Sequence, residues 1–135
     1  KNMKNIYSLL SITLFTVLIS CNSSNSIESQ LMTMASDLNK NLPMEVDSYT
    51  TLSGTTVVGE NEFMYVYKVK LGFFDDYNIS QSEWLSNQTK NTTNIYCTNE
   101  DMKWFKDNNV TVTWSYDFTD GTYIDQVSVS PNDCN

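Results

Sequence analysis

Apolar residues recur at steps of three and four near the start of the globular sequence. They lie at Ile27, Leu31, Met34, Ala35, Leu38 and Leu42. This period places them on one face of an amphipathic helix. Asn25 and Glu28 form a capping-box pattern at its start, and Pro43 predicts where it ends. We therefore expect a helix of about four turns with one face packed on a core.

Two hairpins are predicted from segments rich in β-branched and aromatic residues. Residues 49–58 predict a strand with a bulge at Gly54. Residues 63–71 follow a polar turn and alternate between apolar and polar side chains, which is typical of a half-buried strand. Strands over residues 110–118 and 123–130 flank an Asp-Gly turn and form the second predicted hairpin.

Helical patterns occupy the stretch between the two hairpins. Ser80 and Glu83 form a capping box for a helix over residues 80–95, and Asn99 caps a shorter helix over residues 99–107. The element order is therefore α-β-β-α-α-β-β. It predicts one α+β domain over residues 27–135, with a mainly antiparallel four-stranded sheet and helices on one face.

The N-terminal residues form a separate pattern. Lys1 and Lys4 are followed by apolar and small residues over positions 6–19. A basic start and an apolar run of about fourteen residues are typical of a secretory signal peptide, here residues 1–20. A comfortable membrane span needs about 20 apolar residues. A buried helix or a short membrane anchor is the alternative interpretation.

Leu18-Ile19-Ser20-Cys21 resembles the bacterial lipobox, in which a small residue precedes a cysteine. The resemblance implies that the signal is cleaved before Cys21 and that Cys21 carries the lipid. Residues 21–26 would then be the lipidated cysteine and a polar tether. Several acyl chains on one residue give stable anchoring. We expect the protein to lie in the bacterial envelope, at the periplasmic face of the outer membrane or at the cell surface.

The three cysteines fit this interpretation. If Cys21 carries lipid, Cys97 and Cys134 remain as a pair in an oxidising compartment, where disulfides form. The alternative is two free thiols in a cytosolic protein.

Composition excludes several kinds of chemistry. The chain has 135 residues and a formal net charge of −8, and it contains neither Arg nor His. There is therefore no Ser-His-Asp triad, no Cys-His pair, no imidazole metal ligand and no guanidinium clamp for phosphate. Nucleic-acid binders need clustered cations, which this chain lacks. We expect no cofactor, no metal and no nucleic-acid partner.

Paired carboxylates are the remaining candidates for chemistry. Asp75-Asp76, in an aromatic loop, could bind calcium or a carbohydrate, although the spacing differs from an EF-hand and a solvated acidic loop is the alternative. Asp117 and Asp120 flank a hairpin turn, and Glu60 and Glu62 flank another. Such pairs can act as acid and base when their pKa values are separated, but Asp is also an ordinary turn residue.

Two sequence blocks resemble a family of small bacterial secreted and lipid-anchored proteins. The first, residues 38–47 (LNKNLPMEVD), is similar to the "LN..LPM.VD" opening of that family. The second runs from Cys97 through Val110, Tyr116 and Gly121 to Cys134 and is similar to its "C…GV…Y.Y.D.DG…C" half. The resemblance implies a fold and a disulfide, and it brings no catalytic residues. Asn109 stands where the family usually has Gly. A looser resemblance in size, anchor and disulfide is to the secretin pilotins.

These patterns predict a non-enzymatic envelope lipoprotein that is held in the membrane by acyl chains on Cys21 and binds a neutral or basic protein. A pilotin-like targeting factor for an outer-membrane secretion component is one alternative. A cell-wall hydrolase that uses carboxylates is an alternative from another class. A shallow apolar groove beside the sheet would favour the pilotin, whereas a deep groove with two carboxylates would favour the hydrolase.

Overall fold

The computed structural model describes residues 26–134. The predicted signal peptide (residues 1–20) and Cys21 lie outside the described residues. The first helix, α1, spans Ile27–Asn39 and buries Leu31 and Ala35, as its apolar period predicts. Its N-cap is Ser26, whose Oγ accepts a hydrogen bond from Ser29 N at 3.1 Å. The cap is therefore one residue later than the predicted Asn25.

Five strands follow the predicted segments closely, with one addition. They are β1 (Met44–Glu45), β2 (Thr50–Val58), β3 (Glu62–Val69), β4 (Thr111–Phe118) and β5 (Tyr123–Val129). The two-residue strand β1 was not predicted, because two residues show no alternation. The register of β2 against β3 shifts between Leu52 and Gly54, so the predicted bulge is confirmed.

The helical stretch contains four short or medium elements. They are α2 (Phe73–Asp76), α3 (Gln81–Thr98), a 3₁₀ turn (Glu100–Met102) and α4 (Lys103–Asp107). Ser80 caps α3 by accepting from Glu83 N at 3.2 Å, and Asn99 caps the 3₁₀ turn by accepting from Asp101 N at 2.9 Å. Both predicted caps are therefore confirmed. The predicted loop around Asp75-Asp76 contains the short helix α2. A further 3₁₀ turn, Pro131–Asp133, follows β5.

The sheet corrects the predicted topology. It has five strands in the order β1-β2-β3-β4-β5, and β3 pairs with β4 in parallel. The α+β class and the single domain are confirmed. The sheet has five strands and not four, and it is mixed: three of its four pairings are antiparallel, as predicted, and one is parallel. The helical stretch between β3 and β4 returns the chain to the same end of the sheet, as parallel pairing requires. Each hairpin is a local pattern, whereas this crossover joins strands that are distant in sequence.

The core lies on one face of the sheet. Phe63 and Val69 of β3 and Val112 of β4 are almost fully buried there. Side chains from the helices complete the same cluster: Leu31, Ala35, Trp84, Tyr96 and Phe105. The helices therefore cover this face of the sheet, and burying it supplies the main drive for folding.

The opposite face of the sheet carries the apolar side chains of Met64 and Val66 together with polar side chains that bond to one another. Thr113 donates to Glu62 Oε1 at 2.6 Å and shares a hydrogen bond with Ser128 Oγ at 2.8 Å. Lys68 Nζ lies 2.8 Å from Asp117 Oδ2 across β3 and β4. These polar groups are therefore paired within the sheet.

Candidate functional site

An aromatic groove opens on the helical side of the sheet, between α3 and the segment that joins β1 to β2. Its volume is about 350 Å³. The sheet contributes the floor, α3 one wall, and the β1–β2 segment the other wall. The groove is lined by Val46, Asp47, Thr50, Tyr67, Phe73, Trp84, Gln88, Asn91, Thr92, Ile95, Trp114 and Tyr116.

Stacked aromatic side chains form the floor. The rings of Tyr67 and Tyr116, on the paired strands β3 and β4, lie 5.3 Å apart and 20° from parallel. Trp84 of α3 meets the Tyr116 ring edge-on at 4.8 Å. Burial raises the pKa of Tyr67 to about 12 and also raises the pKa of Tyr116. Both phenols are therefore neutral at physiological pH, and the floor carries no charge.

The α3 wall combines apolar and amide groups. Trp84, Gln88, Asn91 and Ile95 follow one another at steps of three and four, so they share one side of the helix. Gln88 Oε1 accepts a hydrogen bond from the Tyr116 hydroxyl at 3.4 Å, which ties the wall to the floor. Ile95 is 40% exposed, because it stands at the rim of the groove.

The opposite wall is a short turn held by Asp47. Its Oδ1 accepts from Tyr49 N at 2.8 Å and from Thr50 N at 2.7 Å. This is an Asx turn, in which the side chain replaces a backbone acceptor. Val46 beside it is 55% exposed and adds an apolar side chain to the rim. The wall therefore presents one carboxylate and one aliphatic group.

Tyr49 connects this wall to α2. Its hydroxyl donates to Asp76 Oδ2 at 2.6 Å, and its ring lies edge-on to Phe73 at 5.7 Å and to Tyr77 at 5.3 Å. The hydrogen bond to Asp76, together with some burial, raises the pKa of the Tyr49 hydroxyl. These contacts close the groove at the end where α2 lies.

The predicted carboxylate pairs are dispersed. Asp76 serves as the acceptor for Tyr49. Asp117 is paired with Lys68 on the opposite face of the sheet. Asp120 Oδ1 accepts from Thr122 N at 2.8 Å in the turn, and this bond is the main reason that the pKa of Asp120 lies below its usual value. Within residues 26–134, no three His, Cys, Asp or Glu side chains come together as a metal site.

Of the other predicted pair, Glu60 lies exposed in the β2–β3 turn, while Glu62 accepts from Thr113 across the polar face of the sheet. The structure therefore brings none of these carboxylates into the groove. Asp47, which lines the groove, was not singled out from the sequence. Its signals there are its place at the end of the LNKNLPMEVD block and a turn position shortly before a strand.

A disulfide joins Cys97, near the end of α3, to Cys134, after β5. The Cα atoms are 5.3 Å apart. It ties the last turn of the helix to the C-terminal segment, away from the groove. Cys21 is not among the described residues. None of the helices described within residues 26–134 has the length and apolar character needed to cross a membrane.

Three solved structures share the fold of this chain. No protein-family model and no curated protein matches it. A Pseudomonas aeruginosa protein described as secreted superposes with a TM-score of 0.70 at 13% identity, covering 81% of this chain and 93% of that one. The pilotin EpsS of the Vibrio vulnificus type 2 secretion system superposes with a TM-score of 0.62 at 16% identity, covering 81% and 92%.

The type II secretion pilotin AspS of Vibrio cholerae gives a TM-score of 0.56 at 22% identity, covering 80% of this chain and 92% of that one. These values describe a common arrangement of strands and helices across most of each chain. The chain therefore has the α+β fold that this secreted protein and the two pilotins share.

Proposed function

We propose that this chain is a non-enzymatic, lipid-anchored protein of the bacterial envelope that binds a helix of another protein in its aromatic groove. The groove itself is the observation that carries the proposal. It is open, uncharged on its floor and bordered by exposed aliphatic side chains at Val46 and Ile95. An amphipathic helix that lays its apolar face into such a groove is a common mode of peptide recognition.

The groove is large enough to hold a few side chains of a partner but not a whole helix. A volume of about 350 Å³ lies at the lower end of ligand pockets and accommodates a few large side chains. A partner helix would lie across the rim and insert residues at i and i+3 or i+4. The fold that this chain shares with two type II secretion pilotins supports a role as an assembly factor, with a secretin subunit as the partner.

The hydrolase alternative lacks support from the groove. Glycoside hydrolysis uses two carboxyl groups about 5 to 9.5 Å apart. Among the described residues that line the groove, Asp47 is the single carboxylate, and it already accepts two backbone hydrogen bonds. The binding role is therefore the one we propose.

Site-specific photo-crosslinking in cells tests this function. A photoreactive phenylalanine analogue is placed at Ile95 in the full chain, and a matched control carries it at Val58, which is 42% exposed but does not line the groove. We expect the Ile95 position to capture one envelope protein through a segment whose apolar residues repeat at helical spacing. Equal capture from both positions, or capture through a segment without that spacing, would contradict the proposal.

A further inference from the structure

Of the two walls of the groove, the β1–β2 wall carries a charged side chain and the α3 wall does not. This difference affects which partner helix can bind. Asp47 lines the groove, and the Asx turn holds its Oδ1 in place. Among residues 26–134, its second oxygen, Oδ2, has no hydrogen-bond partner. A carboxylate whose position is already ordered loses little further side-chain entropy when it binds a cation.

Two further carboxylates and one lysine lie around Asp47. Asp76 lies at the α2 end of the same wall through its bond to Tyr49, and Asp75 beside it is exposed. The cation in this region is Lys70, whose Nζ donates to Ser48 O at 2.7 Å. On the α3 wall, the groove is lined by neutral side chains, including the amides of Gln88 and Asn91.

The rest of the domain adds to this local field. Six lysines and sixteen acidic residues lie within residues 26–134, a net charge of −10. Such a field attracts cationic segments and repels anionic ones. A partner helix whose flanks carry Asp or Glu would place like charges beside Asp47, which is exposed at the rim of the groove.

From this geometry we infer that the partner helix carries a Lys or Arg next to its apolar anchor, on the side that faces the β1–β2 segment, and that Asp47 is the acceptor for that cation. The inference rests on the proposed function, since it specifies the occupant of the same groove. It predicts an orientation for the partner helix as well: its basic side faces Asp47 and its neutral side faces α3.

Two synthetic helical peptides with the same apolar face provide the test. One carries Lys at the positions that flank the apolar face, and the other carries Glu there. Binding to the purified full chain is followed by fluorescence anisotropy at low salt and at about 0.5 M salt, where screening acts over only a few ångströms. We expect tighter binding of the Lys peptide at low salt and a smaller preference at high salt.

The variants separate a local contact from the overall field. Asp47→Asn keeps an acceptor for Tyr49 N and Thr50 N but removes the charge, so the turn is preserved. Glu60→Gln removes the same charge from the β2–β3 turn, at the far end of β2 from the groove. We expect Asp47→Asn to reduce the preference for the Lys peptide about two- to fivefold, the range of a partly exposed ion pair, and Glu60→Gln to leave it unchanged.

The outcomes distinguish the two proposals. Equal affinity for both peptides, or equal effects of the two variants, overturns the inference about Asp47 while leaving the groove as the binding site. If neither peptide binds, the proposed function and the inference are both overturned. If the Lys peptide binds with the same affinity at low and at high salt, Asp47 does not contribute to its binding, and the inference about Asp47 is likewise overturned.

Discussion

The side chain of Asn39 is hydrogen-bonded to the backbone of Thr55 in the manner of a neighbouring strand. Asn39 Nδ2 donates to Thr55 O at 2.9 Å, and Thr55 N donates to Asn39 Oδ1 at 2.8 Å. Because β1 pairs with β2 only at Leu52 and Thr51, the last residue of α1 satisfies the edge of β2 where β1 has ended. The Thr55 hydroxyl adds bonds to Asn39 Oδ1 and Ala35 O.

Removing the Asn39 amide should destabilise the fold. Asn39→Ala leaves the N–H and C=O of Thr55 without their partner, and we expect the free energy of unfolding to fall by about 1–3 kcal/mol. Asn41→Ala is a matched control, because Asn41 is exposed and its side chain has no hydrogen bond within residues 26–134. Urea unfolding measures both. A loss as small as that of Asn41→Ala would contradict the strand-like role of Asn39.

The disulfide should contribute strongly to stability. It closes a separation of 37 residues between Cys97 and Cys134, for which the chain-entropy model gives about 4 kcal/mol. The double variant with Ser at both positions should therefore unfold at much lower urea than the oxidised protein. Adding a reductant to the wild type should reproduce the shift, whereas it should leave the double variant unchanged. Labelling of both thiols in protein from the bacterial periplasm would show that the bond is absent there.

Tyr96 should make the fold sensitive to alkaline pH. Its side chain is fully buried, and its hydroxyl donates to Val110 O at 2.6 Å. Burial, with a smaller contribution from the charge of Asp133, raises the pKa of Tyr96 to about 12. The folded state therefore holds this proton more tightly than the unfolded chain, in which tyrosine titrates near pH 10.

The sign of the effect follows from that difference. The contribution of Tyr96 is fully present below about pH 10 and is lost as pH rises toward 12. Tyr96→Phe should lower stability at pH 8 by about 1 kcal/mol through the lost hydrogen bond, and it should reduce the decline between pH 10 and 12. Tyr77→Phe, at an exposed ring, serves as the control. The urea midpoint of each variant is measured at pH 8 and at pH 11. If the midpoints of Tyr96→Phe and Tyr77→Phe fall equally between these pH values, Tyr96 is not the cause of the alkaline sensitivity.

Asn109 occupies a left-handed backbone conformation between α4 and β4, with φ of 54°. Asn and Gly tolerate this region, whereas a side chain such as Ala is strained there. We expect Asn109→Ala to cost about 1 kcal/mol and Asn109→Gly to stay within about 0.5 kcal/mol of the wild type. Thermal or urea unfolding would measure the difference, and equal effects of the two substitutions would rule out backbone strain as the cause.

Cys21 remains a prediction from the lipobox resemblance. Cys21→Ser should prevent lipidation and signal cleavage, so the variant should keep residues 1–20 and lack the mass of the acyl chains. Ser24→Ala, three residues further along the predicted tether, should behave as the wild type does. Mass measurement of the purified N-terminus reads the result directly. A Cys21→Ser protein that is still cleaved before position 21, or a wild-type N-terminus without acyl mass, would disprove the anchor.

Local patterns predicted the individual elements well. The period of α1, the caps at Ser80 and Asn99 and the bulge near Gly54 all depend on neighbours in sequence, and all agree with the structure. The parallel pairing of β3 with β4 depends on how a long helical stretch returns across the sheet. No short-range pattern encodes that path, so the sequence does not predict this parallel pairing.

The groove could not be predicted from the sequence either, because its lining comes from segments that are distant along the chain. Its floor comes from Tyr67 and Tyr116, its walls from Asp47 and Ile95, and its end from Phe73. Each of these residues fits an ordinary core, turn or helix position when it is considered alone. They form a groove only because α3 and the β1–β2 segment leave a gap over the sheet.

The parallel contact between β3 and β4 has a consequence for the order in which the chain folds. Each antiparallel hairpin, β2–β3 and β4–β5, closes over a turn of a few residues and can form locally on a microsecond timescale. Joining the hairpins requires closure of the connection of about 40 residues between β3 and β4. This connection loses conformational entropy before the contacts between β3 and β4 form. Docking of the two hairpins is therefore the slow, high-contact-order step, and until it occurs β3 and β4 are both exposed strand edges open to mispairing.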